Sequence, residues 1–148
     1  MKTINRTDSV PAALWIVASL NAAFLFGNGL AMLFTPFMWY NVVPGVSHTG
    51  PFNPHFVMDI GLIQMFLGAM LGLGLARPAG RFLLWAAAAT WLSAHALLHF
   101  WEVAAGICPP SALARDFAAV TLPALIGITL SWWSWRAGDR PTNSIRYA

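Results

Sequence analysis

The chain has 148 residues, of which 58% are hydrophobic and 9% charged. Soluble domains carry about 25% charged residues, so this composition, with a mean hydropathy of +0.64, places the chain among integral membrane proteins. The net charge of +3 comes from scattered basic residues, with no run dense enough for nucleic acid, which is excluded as a partner. The lone Cys108 can form no intramolecular disulfide and reads as a small apolar residue near a helix end.

One helical crossing of the hydrocarbon needs about 20 apolar residues. The first such run, residues 12–34, follows Lys2 and Arg6. It is too long for the apolar part of a signal peptide, and a retained first span is expected. Within it Asn21 and Asn28 are seven apart and share a face, and Gly27 and Gly29 thin the helix on either side of Asn28. Residues 35–53 form the next connection, whose second half carries Pro44, Gly45, Gly50 and Pro51 and no charge other than that of a protonated His48. Such a segment is a defined, compact loop. A lid over the bundle mouth and a plain connector at the headgroups are equal readings of it, and His48 reads as solvated.

The second run, residues 54–76, is opened by Asn53 as a cap and Pro54 at the first helical position. Gly61, Gly68 and Gly72 mark a packing stripe on it, and Met58, Met65 and Met70 read as packing residues. The turn Arg77-Pro78-Ala79-Gly80-Arg81 makes the third run, residues 82–105, its antiparallel neighbour. Gly106, Pro109 and Pro110 end that run, and the fourth covers residues 117–137. Trp39, Trp101, Trp132, Trp133 and Trp135 cluster at span ends as interfacial anchors do. No segment alternates with the period of a barrel strand. The fold expected is therefore all-α, an integral membrane four-helix bundle in a single domain. Lys2, Arg6, Arg77, Arg81, Arg136, Arg140 and Arg146 fall on one side and only Arg115 on the other, which predicts both termini inside.

Ionisable residues in lipid-embedded runs are costly and mark function by default. His55 and Asp59 are i, i+4 on the second span, and His95, His99 and Glu102 form an i, i+4, i+7 stripe on the third. Counting about 1.5 Å per residue from the matched outer ends puts Asp59 between Glu102 and His99 in depth, with His95 one turn deeper, level with Gln64. Asn28 from the first span and Thr121 from the fourth reach the same region. Asp59 is helped by the positive end of its helix, whereas Glu102 lies in a last turn and needs a cation, a hydrogen-bond network or a proton.

Imidazoles with carboxylates suit a divalent transition metal, Cu, Zn or Fe, and facing helices of bundles hold metals in this way. His55, Asp59, His95, His99 and Glu102 are the predicted metal ligands, with Asn28 and Gln64 as cofactor-binding residues. The expected protein is a membrane metalloprotein with its site near the outer side of the bundle, suited to metal-dependent redox or hydrolytic chemistry on a small apolar or membrane-dissolved substrate. The rival readings are a quinone- or haem-binding redox subunit, a proton or solute transporter, and a scaffold in which the polar cluster only glues helices. A homo-oligomer or a subunit of a membrane complex is expected in each case, in contact with the lipid bilayer.

The stretch Gly50-Pro51-Phe52-Asn53-Pro54-His55-Phe56-Val57-Met58-Asp59-Ile60-Gly61, with His95-Ala96-Leu97-Leu98-His99 downstream, resembles a group of small four-helix bacterial inner-membrane proteins. Members often carry a basic residue where this chain has Met58. The layout is also similar to DoxX-like proteins, some of which are tied to quinone-linked sulfur metabolism. The resemblance implies a multi-pass protein of the bacterial inner membrane, with the site on the periplasmic side, and carries no activity with it.

Overall fold

The computed structural model describes residues 10–138. Lys2, Arg6, Arg140 and Arg146, which carry part of the expected orientation, lie outside the described residues. The chain runs α1 (Ala12–Phe34), α2 (Pro36–Val42), α3 (Pro54–Ala76), α4 (Arg81–Ala104), α5 (Ser111–Asp116) and α6 (Leu122–Ala137), with a π-helical turn, Phe117–Thr121, joining the last two. Among the described residues there is no strand. Four helical segments are long and apolar enough to cross a membrane: Ala12–Phe34, Pro54–Ala76, Pro78–Ala104 and Ser111–Ala137. The fourth begins earlier than the expected residue 117, because Pro109 and Pro110 end the connection and a helical turn forms at once after them. We call the end carrying residues 35–53 the loop end and the end carrying Pro78–Gly80 the turn end.

Local chemistry sets the helix ends. The Asn53 side chain accepts the Phe56 N–H at 3.2 Å and Pro54 opens α3. Gly106, at φ +74°, lets the chain leave α4 while the Ile107 and Cys108 amides donate to the Glu102 carbonyl.

Small residues then decide which helices meet. A Cβ on Gly29 would fall on the Gly61 carbonyl, and one on Gly68 on the Ala22 carbonyl and the Phe26 amide, so α1 and α3 pack backbone to backbone. Gly127 makes the corresponding approach to Ala89 between α6 and α4. The two helix pairs are tied at the turn end. Trp85 Nε1 donates to the Leu71 carbonyl at 3.0 Å, and Arg81 Nε donates to the Gly74 carbonyl at 2.9 Å. Arg81, read from sequence as an orientation signal, is in fact buried, its guanidinium 5.6 Å and 5.8 Å from the ring centroids of Trp85 and Trp133. Trp85 is likewise fully buried, whereas Trp101, Trp132 and Trp135 are exposed as anchors would be. Between the two ends lies an apolar core of Leu25, Leu67, Leu71, Ala88, Leu92 and Leu130.

Candidate functional site at the loop end

The antiparallel pairing of α3 and α4 fixes depth. Trp85 bonds the Leu71 carbonyl and packs on Gly74, and Arg81 bonds the Gly74 carbonyl, so stepping back from these contacts brings Asp59 to the stretch of α4 that carries His95 and His99. Direction around the helix separates them. Gly61 faces α1, and at about 100° per residue Asp59 is turned roughly 160° and His55 roughly 120° away from that contact. Their side chains are accordingly 54% and 87% exposed, paired only with each other, His55 Nε2 to Asp59 Oδ2 at 3.3 Å. The five predicted ligands are therefore divided between two faces. Among the described residues no group of three or more His, Cys, Asp or Glu side chains is placed to hold a metal ion. The cause is the α1–α3 glycine contact, which spends the close-packing face of α3 on α1 and leaves its titratable face outside.

The α4 stripe finds a different partner. His99 Nδ1 lies 3.3 Å from Asp116 Oδ2, at the end of α5. Arg115 holds the same carboxylate bidentately, Nε to Oδ1 at 2.6 Å and Nη2 to Oδ2 at 2.9 Å. Toward the core, the His95 ring stands edge-on to His99 with centroids 4.8 Å apart, and it stacks on Trp91 at 5.1 Å and 21°. The imidazole nitrogens of His95 have no hydrogen-bond partner among the described residues. Trp91, His95, His99, Asp116 and Arg115 thus form a continuous series from the bundle interior to the loop end. Glu102, one turn beyond His99, is half-buried and has no ion-pair partner among the described residues.

The loop touches the outer end of this series at Arg115. Gly45, at φ +87°, packs directly on the Arg115 guanidinium, where any Cβ would collide. The loop is held by Tyr40, whose hydroxyl donates to the Gly50 carbonyl at 2.5 Å, and by the rings of Phe37 and Tyr40 against Phe52. The Gly45–Arg115 contact ties the loop to the mouth of the fourth span.

The two residues predicted to hold a cofactor differ in their surroundings. Asn28 is committed to structure: its Oδ1 accepts Trp39 Nε1 at 2.8 Å and its Nδ2 faces Met32 Sδ at 3.6 Å, fixing α2 to α1. Gln64 is buried with Oε1 unpartnered. The contacts of Trp85 and Arg81 with α3 bring it to the stretch of α4 between Trp91 and His95. Asn21 ties α1 to α6 through the Pro123 carbonyl at 3.3 Å.

Asp116 and Arg115 are the site residues that the sequence reading missed. The available signal was their adjacency at the mouth of the fourth span, with Arg115 the lone basic residue on its side. No family model, curated protein or solved structure matches the chain.

Proposed function

We propose that this chain is the proton-relay subunit of a membrane redox system, with His95, His99 and Asp116 as the relay and a membrane-dissolved substrate of quinone type as the source or sink of the protons. The observation that carries this reading is the order Trp91, His95, His99, Asp116, Arg115, joined by ring contact as far as His99 and by ion pairs beyond it, which opens at the loop end and stops at an apolar core. A relay that ends in the outer half of the bundle suits exchange with something dissolved in the lipid, whereas solute transport needs a path through Leu67, Leu71, Leu92 and Leu130.

The chemistry assigns each residue a role. Oxidation of a quinol releases two protons and two electrons; the electrons leave to a partner redox subunit and this chain handles the protons. His95 accepts the hydroxyl proton at a free imidazole nitrogen, with Trp91 as an aromatic surface beside it. His99 takes the proton next, and the Asp116 carboxylate, kept ionised by Arg115, stabilises the imidazolium that forms before the proton leaves at the loop end. The lopsided basic residues support a periplasmic loop end. Haem is disfavoured because His95 and His99 sit one turn apart on one helix and cannot approach an iron from opposite sides.

The test is binding of a short-chain quinone to protein purified in mild detergent, followed by tryptophan fluorescence with Trp91→Phe as the control for the reporting ring. Saturable quenching is expected, weakened about tenfold by His95→Ala, the loss of one hydrogen bond of about 1.4 kcal/mol. Asp116→Asn is expected to leave the affinity and slow proton release. Absence of saturable binding overturns the reading. Stoichiometric Cu, Zn or Fe that disappears in His99→Ala replaces it with the metal centre.

A further inference from the structure

The outward face of α3 has no role in the relay, yet it carries an exposed imidazole and an exposed carboxylate inside a membrane-spanning helix. Two columns run along it with a seven-residue period: His55, Leu62 and Ala69, and Asp59, Phe66 and Leu73. Measured from Gly61, five of these six, all but Ala69, lie within about 60° of one another, on the side away from α4. Such an offset double column is the seam of left-handed helix packing. Phe66 is 66% exposed, and Leu62 and Leu73 are more than 40% exposed. Beside Phe66 is a groove of about 170 Å³ between α1 and α3, lined by Phe26, Leu62, Met65, Phe66 and Ala69.

We propose that this face is the contact surface between two copies of the chain, related by a twofold axis along the membrane normal. Two copies inserted in one membrane share an orientation, so a twofold contact brings together residues of equal depth. The face is self-complementary under that constraint in two ways. Near the loop end the His55 ring reaches one turn along α3 to the Asp59 carboxylate, 3.3 Å away, so the two side-chain tips stand at one depth and each can meet its counterpart's partner in the other copy, twice. At mid-span each copy offers a protruding Phe66 and, at the same depth, the groove to receive it. Lipid satisfies neither demand: acyl chains leave the exposed His55–Asp59 pair with one contact and its remaining donors and acceptors unmet, a costly arrangement. The inference is independent of the relay, whose residues lie on α4 and α5.

Disulfide cross-linking in native membranes tests it, in a Cys108→Ala background. Single cysteines at Leu62→Cys and Phe66→Cys are expected to give dimers, whereas Leu97→Cys and Ile128→Cys, on the groove between α4 and α6, are not. In mild detergent, His55→Ala is expected to weaken dimerisation on the order of tenfold, the loss of two reciprocal polar contacts. His55→Asp gathers four carboxylates at the axis and should abolish the dimer, and the exchange His55→Asp with Asp59→His should restore it. Cross-links at 97 and 128 in place of 62 and 66, no cross-link at any position, or a dimer indifferent to His55→Asp each overturns the proposal.

Discussion

Glycine residues of the same helix are not equivalent. Gly68 touches the backbone of α1, with the Ala22 carbonyl and the Phe26 amide each 2.7 Å from where a Cβ would stand, while Gly72 has open space in that direction. Neither backbone atom can yield without separating α1 from α3. Gly68→Ala is therefore expected to destabilise the bundle by about 1–3 kcal/mol, as overpacking of a tight contact does. Gly72→Ala is expected to be neutral or stabilising, by up to about 1 kcal/mol from helix propensity. Unfolding of the two variants in mild detergent with increasing dodecyl sulfate checks this. Equal midpoints would mean that the α1–α3 contact is not held by backbone approach. The spacing of Gly61, Gly68 and Gly72 in the sequence marks a stripe, but it cannot say where the crossing helices diverge. Gly74, off that stripe, is in contact with the Trp85 indole.

The relay depends on how α5 enters α6. Pro123 has no N–H to continue the ladder and crowds the preceding turn. The chain answers with the π turn Phe117–Thr121, in which the Leu122 amide bonds back five residues to Phe117. A π turn holds one residue more than an α turn and so rotates everything before it by about 100°. That rotation carries Asp116 to His99. Pro123→Ala permits an α register through this segment, and Asp116 is expected to turn away while the helix persists. The imidazole ¹⁵N shifts of His99 should then match those of Asp116→Asn. Wild-type His99 shifts in Pro123→Ala would show that the turn is held by something other than the proline. This is also why Asp116 was illegible beforehand. A proline in a span announces a lost hydrogen bond but not the register that replaces it, so the direction of a carboxylate seven residues earlier could not be counted.

Across the whole molecule, the sequence yields depth and withholds direction. Four apolar runs, their caps and the tight turn give the helices and their antiparallel order, and residue counting brings Asp59 to the depth of the stretch that carries the histidines, as the contacts of Trp85 and Arg81 with α3 do. The expectation that the titratable faces of the second and third spans turn toward each other does not hold for Asp59, because glycines commit α3 to α1, and His99 meets instead Asp116, a partner not expected from sequence. The resulting molecule is asymmetric along its axis, with ionisable groups under a loop at one end, a leucine core between, and a buried Arg81 clasped by tryptophans at the other. Access should follow the same asymmetry. In a Cys108→Ala background in intact cells, a membrane-impermeant thiol reagent is expected to label the exposed Ser47→Cys readily and His99→Cys more slowly, since the side chain at 99 is largely buried. Leu71→Cys, inside the core, and Ala79→Cys, at the turn end, should stay unlabelled until the cells are opened, when only Ala79→Cys reacts. Gly45→Ala, which forces Arg115 off the loop, should speed labelling at position 99 and leave position 71 inert. Labelling of Ala79→Cys in intact cells reverses the orientation drawn from the basic residues, and labelling of Leu71→Cys from either side means that the core admits water and that the relay continues through the membrane.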